Sequence, residues 1–282
     1  MASVTDFVKE GLKYPFNDWK KVLMLGVIFL VSSLVSFFVE YTIYDSYLIL
    51  DNVASFNSFN TFISSLPPSN VLLIVGGWIV TFIIMLLISG YLYNVIKYSI
   101  EKRYELPGFS DIKGMLLNGI RVFIVGLAYA IIPILLFLFG LMLMVNESVG
   151  ATVNNIGLAV LLISCLVGIF LYFVQVMTVS HMVANDELKA AFRFREIFDL
   201  ISNIGWGRFI GALLFTFVVI AVLSIFIEVI FGAVAFAASI IVGSALVLAL
   251  VKVILECLFL NPYTSVAISR IYGSLYNEAK IE

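Results

Sequence analysis

Charged side chains are scarce in this sequence. Asp, Glu, Lys and Arg make up 12% of its 282 residues, while 62% are hydrophobic and the mean hydropathy is +1.13. Ordinary soluble domains are about 25% charged, so this composition excludes that class. Apolar runs that could cross a bilayer, which takes about 20 helical residues, begin near Val22, Val71, Val122, Ile156, Phe209 and Val242. We expect an all-α, polytopic integral membrane bundle of six transmembrane helices.

Cysteine and histidine are also rare, with two Cys and one His. Cys165 and Cys257 both lie in predicted spans, so neither a disulfide framework nor a paired zinc motif is available. His181 follows Ser180 directly, and neighbouring helical residues point about 100° apart, which prevents a nucleophile–base hydrogen bond. The sequence therefore predicts no catalytic residue, no metal and no cofactor, and we expect a protein that is not an enzyme.

The net charge of −2, with a pI near 5.5, limits which partners can be expected. A nucleic-acid partner would require a basic surface, so we expect none. Membrane lipids are the expected partners, because each basic residue beside an anionic headgroup contributes about 1 kcal/mol. Protein partners and a homo-oligomer are left open.

The basic residues alternate along the chain. Fifteen of the sixteen lie in the N-terminal segment, the second and fourth gaps between apolar runs, and the tail: Lys9, Lys13, Lys20, Lys21, Lys97, Lys102, Arg103, Lys113, Arg121, Lys189, Arg193, Arg195, Arg208, Arg270 and Lys280. Basic residues are retained on the cytoplasmic side. This pattern predicts a multi-pass protein of the cell membrane with both termini cytoplasmic. The acidic first gap (Glu40, Asp45, Asp51) and the third gap (Glu147) would face outward.

Three charged residues lie inside predicted spans: Glu228, Lys252 and Glu256. An ionised group near the bilayer centre costs at least about 2.5 kcal/mol and usually faces a partner or a cavity. Lys252 and Glu256 are four residues apart on one helix and can pair. We expect Lys252 near the midplane and Glu228 near the outer boundary, with the turn between the fifth and sixth helices between Gly232 and Gly243. These residues form a candidate intramembrane polar site, and a self-neutralised pair that fixes helix packing is the alternative.

A short motif, in which an acid follows a phenylalanine by two places, recurs at Phe16, Phe109 and Phe194. Each copy precedes an odd-numbered span and is followed by a glycine (Gly26, Gly119, Gly205). We interpret residues 1–282 as one transmembrane domain of three parallel repeats, 1–100, 101–185 and 186–282. Each repeat would be a cytoplasmic helix plus a hairpin.

The segments around these motifs predict interfacial structure. Apolar residues recur at helical steps from Phe192 to Ile204 and from Phe109 to Ile120, and Tyr14 to Trp19 is aromatic and flanked by lysines. We expect three amphipathic helices around the cytoplasmic face. Tyrosines at the inner ends of the even spans are expected to form a lipid-contacting belt: Tyr91, Tyr93, Tyr98, Tyr104, Tyr263, Tyr272 and Tyr276.

Three stretches support a family resemblance: Tyr14-Pro15-Phe16-Asn17-Asp18-Trp19, Gly90-Tyr91-Leu92-Tyr93 and Glu105-Leu106-Pro107-Gly108-Phe109. They resemble the mostly archaeal membrane family called domain of unknown function 4013. More distantly, the chain is similar to membrane domains associated with glycerophosphodiester phosphodiesterases, but it has no counterpart of their metal-binding carboxylates. The resemblance implies the six-helix fold and supplies no site residues.

Two functional hypotheses follow. The first is a non-enzymatic membrane protein that handles lipid or a small amphipathic solute, with Lys252 and Glu256 as its polar site. The second is a membrane scaffold or accessory subunit that docks partners through its cytoplasmic amphipathic helices. A membrane enzyme ranks third, because no metal-ligand spacing is present among the acids.

The topology can be tested by labelling intact cells with a thiol reagent that cannot cross the membrane. In a variant without Cys165 and Cys257, we expect no labelling of Lys102→Cys or Lys189→Cys, because both gaps face inward. Asp51→Cys, in the first gap, should be labelled. Labelling at either basic gap would contradict the predicted orientation.

Overall fold

The computed structural model describes residues 4–51, 66–145 and 151–280, and within these ranges its regular structure is helical. The helices are α1 (Val4–Lys13), α2 (Trp19–Asp51), α3 (Pro68–Ile100), α4 (Ile112–Val145), α5 (Ala151–Asn185), α6 (Phe194–Ile204), α7 (Trp206–Val242), α8 (Ala245–Leu255) and α9 (Asn261–Ala279). Short 3₁₀ helices cover Tyr14–Asp18 and Leu188–Phe192, and a π-helix covers Glu256–Leu260.

Six of these helical segments are long and apolar enough to cross a membrane, which confirms the expected all-α membrane bundle. The first to fourth spans are α2, α3, α4 and α5, the fifth is α7, and the sixth is the continuous run of α8, the π-helix and α9. Glu147 of the third gap lies outside the described residues.

The fifth and sixth spans are joined by a very short turn. α7 continues to Val242, and Gly243 then adopts a left-handed conformation with φ 71° before α8 begins at Ala245. Glycine adopts this conformation at little cost because it has no Cβ. The turn lies at the end of the predicted interval, and the fifth span is long as a result.

The basic segments meet at one end of the bundle, which we call the basic end. Three side-chain contacts join the N-terminal segment, the second and fourth gaps and the tail: Tyr14 Oη donates to the Glu105 carbonyl (2.6 Å), Arg270 Nε to Glu10 (3.0 Å) and Arg208 to Glu278 (3.3 Å). The even number of spans brings both ends of the chain to this side. That this end is cytoplasmic stays a prediction.

The second, fourth and sixth spans contact one another, and neighbouring spans approach closely at glycines. The Gly119 Cα of the third span lies against the Leu86 carbonyl of the second, and Gly90 lies against the Met115 carbonyl. Gly26 of the first span lies in the same way against Leu258 of the sixth.

The third glycine of the motif is different. Gly205 ends α6 with φ 88°, and a Cβ there would meet no described atom within 4 Å. It terminates a helix and brings no two spans together. The three-repeat organisation, with units 1–100, 101–185 and 186–282, stays a prediction.

One of the three expected amphipathic helices is present where we expected it: α6 buries Ile197, Ile201 and Ile204 against the bundle. The segment from Tyr14 to Trp19 is instead a short 3₁₀ helix that leads into the first span, and the amphipathic helix α1, which we did not expect, precedes it and buries Phe7 and Val8. The expectation of a separate helix from Phe109 to Ile120 was wrong: helix α4 begins at Ile112 and continues into the third span.

Asp111, the acidic residue of this motif, explains why no separate helix forms there. The Asp111 carboxylate accepts a hydrogen bond from the Gly114 N–H at 2.8 Å. It therefore caps the start of the third span.

The prediction that the tyrosines form a lipid-contacting belt was also wrong for three of them. Tyr91, Tyr93 and Tyr276 are at most 1% exposed. Their hydroxyls bond to the Pro107 carbonyl (3.4 Å), Asp186 (3.1 Å) and His181 (3.0 Å), respectively. These internal partners replace the water that an interfacial tyrosine would use.

The close approach of the second and third spans can be tested by comparing two Gly→Ala variants. Gly119→Ala should lower the melting temperature in detergent, because the added methyl overlaps the Leu86 backbone and overpacking costs about 1–3 kcal/mol. Gly76→Ala, where no described atom lies within 4 Å, should leave the melting temperature unchanged or raise it, because Ala favours helix. Equal effects of the two substitutions would contradict this packing.

Candidate functional site

The structure brings together two of the three residues of the candidate polar site. Lys252 Nζ lies 3.4 Å from Glu256 Oε1, with the two side chains 45% and 27% exposed. Glu228 is exposed on the fifth span and has no hydrogen bond or ion pair with another described residue. Counted from the Gly243 turn at helical rise, Glu228 lies roughly 10 Å deeper than Lys252. It is farther from the outer end than we expected, because the turn comes late. The pair exists, but a functional role for the three residues stays a prediction.

The sixth span changes its helical geometry beside this pair. Pro262 has no N–H, and the Asn261 N–H bonds to the Glu256 carbonyl, the i to i−5 bond of a π-helix. The Leu258 carbonyl, which a regular residue 262 would have bonded, lies against Gly26. Such π segments are frequent at functional sites. Here the segment borders an apolar groove of about 500 Å³, the aromatic groove, lined by Phe16, Trp19, Leu223, Ile227, Phe231, Leu255, Phe259, Leu260 and Tyr263.

A larger opening lies between the fourth, fifth and sixth spans, and we call it the lateral cleft. It has a volume of about 680 Å³. Its lining is mainly apolar: Ile169, Tyr172, Phe173, Leu213, Leu214, Thr216, Phe217, Ile220, Ala221, Ser224, Ile268 and Tyr272. The cleft can therefore accept a hydrocarbon chain.

The central cavity, of about 210 Å³, lies among the second, third, fourth and sixth spans. Its lining residues are Ser89, Leu92, Tyr93, Ile96, Val122, Tyr172, Gln175, Val176, Val179, Ser269 and Tyr272. Tyr172 and Tyr272 therefore line both spaces, and their hydroxyl oxygens are 3.1 Å apart. The tyrosine pair is therefore part of the wall that the lateral cleft and the central cavity share.

Three polar side chains of the central cavity have open hydrogen-bonding capacity. Ser89, Gln175 and Ser269 form no hydrogen bond with any residue in the described ranges, and Ser269 is only 5% exposed. Their polar atoms face the space of the cavity, where a partner can reach them. These groups can bind a polar part of a ligand.

A charged cluster at the basic end adjoins this cavity, and we call it the Asp186 network. The Asp186 carboxylate accepts a hydrogen bond from Arg121 (2.7 Å) and one from the Tyr93 hydroxyl (3.1 Å), and Lys97 Nζ lies 3.6 Å away. Partial burial raises the pKa of Asp186. The Arg121 hydrogen bond and the Lys97 charge outweigh that effect, so its pKa lies below the ordinary value. The network joins the second, third and fourth spans.

Neighbouring side chains hold His181 in place. It is 6% exposed and lies between the Tyr276 hydroxyl and Glu196, each 3.0 Å from a ring nitrogen. The Ser180 hydroxyl donates to the Val176 carbonyl at 3.0 Å, so Ser180 and His181 form no nucleophile–base pair. Among the described residues, no three His, Cys, Asp or Glu side chains are grouped as metal ligands.

Sequence reasoning missed both the tyrosine pair and the polar lining of the central cavity. Single polar residues inside apolar runs, such as Gln175, were a usable signal, because intramembrane polar groups usually face the bundle interior. Tyr172 and Tyr272 are 100 residues apart, and no local pattern connects them.

Comparisons with known proteins find matches of unknown function. Residues 71–232 match the family model described as a protein of unknown function (DUF4013). The chain is also 25% identical over 206 residues to the Uncharacterized protein MJ1189 of Methanocaldococcus jannaschii, a match that covers 72% of this chain and 70% of that protein. No solved structure matches. These matches do not bear on the more distant similarity to membrane domains of glycerophosphodiester phosphodiesterases, which stays a prediction.

The Asp186 network predicts a pH-dependent stability difference between the wild type and Asp186→Asn, in which Asn also tolerates the left-handed backbone (φ 50°). Because folding lowers the pKa of Asp186, its stabilisation is complete above the unfolded value and is lost as pH falls through the folded value, below 3.8. The wild type should melt at a higher temperature than the variant near neutral pH, and the difference should shrink below about pH 4.

The matched control is Asp199→Asn, which alters an exposed carboxylate on α6. It should change the melting temperature little across the same pH range. A difference for Asp186→Asn that persists unchanged in acid would contradict the proposed charge interaction.

Proposed function

Since the chain belongs to the DUF4013 family, whose members are proteins of unknown function, we propose a function from its own geometry: it is a non-enzymatic membrane protein that handles lipid or a small amphipathic solute. We place it in the cell membrane with both termini in the cytoplasm. Its partners in this proposal are lipids, and nucleic acid is not one of them.

The observation that supports this proposal is that the lateral cleft and the central cavity lie side by side and share two lining residues. The cleft, at about 680 Å³, is within the range of roughly 300–1,000 Å³ typical of small-molecule sites. Its apolar walls suit a hydrocarbon chain, and the hydroxyl and amide groups of the central cavity suit a polar head. Tyr172 and Tyr272 contribute to both spaces, so one amphipathic molecule could occupy them together.

In this proposal the ion pair of Lys252 and Glu256 does not bind the ligand. Neither residue lines the lateral cleft or the central cavity. Each charge is offset by the other at 3.4 Å, which reduces the cost of keeping them in a span. We therefore assign the pair to helix packing beside the aromatic groove, and assign transport or binding to the cleft.

The alternative function is a scaffold or accessory subunit. It is supported by Phe194 and Phe198 on α6, which are 50% and 37% exposed. However, α6 already buries Ile197, Ile201 and Ile204 against the bundle, so much of its apolar face is used internally. The lateral cleft is a larger unfilled apolar space, and we favour lipid handling for that reason.

The proposal can be tested with purified protein in liposomes that contain a fluorescent glycolipid with an uncharged head, by following its movement between leaflets through quenching from outside. Ala221→Trp should reduce the protein-dependent rate by about tenfold or more, because the indole fills the lateral cleft and each 1.4 kcal/mol of lost interaction is a factor of ten. The same measurement should be repeated with a fluorescent single-chain amphiphile.

Val222→Trp is the matched control. Val222 is the next residue on the fifth span, is 60% exposed and does not line the cleft, so this variant should keep the wild-type rate. Lys252→Ala should also keep it. A loss with Lys252→Ala and none with Ala221→Trp would move the pathway to the predicted polar site, and equal rates with and without protein would refute the proposal.

A further inference from the structure

We propose that the lateral cleft and the central cavity select an uncharged amphiphile, with an alcohol or carbonyl head and one long apolar chain. The inference rests on the proposed function and specifies its ligand class. Four observations carry it: the absence of charge in the lining, the pairing of the nearest charges, the open hydrogen-bonding groups and the division into a polar and an apolar space.

The first observation concerns charge. The described residues that line the two spaces include no Asp, Glu, Lys, Arg or His. A carboxylate, phosphate or ammonium head in the central cavity would therefore lose its hydration without meeting an opposite charge, which is unfavourable in a membrane interior. An uncharged head avoids this cost.

The nearest charged groups are already paired. Asp186 is bonded to Arg121 and lies beside Lys97, and the Tyr93 hydroxyl donates its proton to Asp186. Tyr93 also lines the central cavity, and its hydroxyl proton is already used in the bond to Asp186. The charges of the Asp186 network are thus offset within the network, and none of the three charged residues lines the cavity.

The hydrogen-bonding groups match an alcohol or a carbonyl. Ser89, Gln175 and Ser269 are without partners among the described residues, and together they supply both donors and acceptors. The Tyr172–Tyr272 contact uses only one of its two phenolic protons, since each hydroxyl carries one. The second proton is available to a carbonyl or hydroxyl oxygen beside the pair.

The two volumes fit the two parts of such a molecule. The head would occupy the central cavity of about 210 Å³, and the chain would lie in the lateral cleft of about 680 Å³, with the tyrosine pair in the wall that they share. Hydrocarbon in the cleft would contact Phe173, Phe217 and Ile220, which are apolar.

The experiment uses full-length protein in lipid nanodiscs and three photoactivatable probes that differ only in the head. All three carry the same sixteen-carbon chain with a diazirine, and the heads are a primary alcohol, a carboxylate and a trimethylammonium. After irradiation, mass spectrometry maps the labelled peptides. The alcohol should label the cleft segments of the fourth and fifth spans about tenfold or more above either charged probe, since a charged head is disfavoured there.

Two variants test the position of the head. Ser269→Ala and Gln175→Leu should each reduce alcohol labelling of the cleft roughly three- to tenfold, the effect of losing one hydrogen bond. Ser36→Ala in the first span, outside both spaces, is the matched control and should leave labelling unchanged. Ser269→Ala is the milder change and keeps the test valid if Gln175→Leu does not fold.

The outcomes separate this inference from the proposed function. Cleft labelling of equal strength by all three probes, or stronger labelling by a charged one, would overturn the uncharged ligand and leave amphiphile handling intact. Alcohol labelling that does not respond to Ser269→Ala or Gln175→Leu would overturn the head position. No cleft labelling by any probe would overturn both the inference and the function on which it rests.

Discussion

Hydrogen bonds from tyrosine hydroxyls to backbone carbonyls hold the connecting segments of this protein against its spans. Tyr14, Tyr91, Tyr129 and Tyr263 donate to carbonyls of Glu105, Pro107, Ala191 and Leu12, respectively. A non-helical segment at a membrane surface carries carbonyls without helical partners, and these must be satisfied. A buried tyrosine does so while its ring fills apolar space. These bonds order the basic end, and the charged networks form between the segments that they position.

Two copies of the repeated motif make similar aromatic contacts, and the third copy makes a different one. Phe109 stacks on Tyr91 with ring centroids 4.4 Å apart, and Phe16 contacts Tyr263 at 5.6 Å. Both tyrosines belong to even spans. Phe194 instead contacts Tyr129 of the third span at 6.1 Å. The first two junctions also have a glycine that draws neighbouring spans together, Gly119 and Gly26, whereas Gly205 ends a helix. The lateral cleft lies among the fourth, fifth and sixth spans, the first two of which flank the third motif in the chain.

Sequence reasoning succeeded where a feature depends on local spacing or on the bilayer itself. Six spans follow from run lengths, and the ion pair of Lys252 and Glu256 follows from an interval of four residues. It failed for Tyr91, because an amphipathic ring suits both a wet interface and a buried position with a carbonyl partner. Asp111 was ambiguous in the same way, since one acid serves either an interfacial helix or the cap of a span. Contacts between distant segments decide such cases, and a single sequence does not contain them.

The ion pair of Lys252 and Glu256 and the polar lining of the central cavity differ in their capacity to bind a ligand. Lys252 and Glu256 were conspicuous because charge is rare in this chain, but the two charges offset each other within the span. A satisfied pair has little capacity left for a ligand. Gln175 and Ser269 are less conspicuous, yet their hydrogen-bonding capacity is open to a polar group that binds in the cavity. Among the described residues, open polar groups beside an apolar cleft therefore indicate a binding site more strongly than the paired charges do.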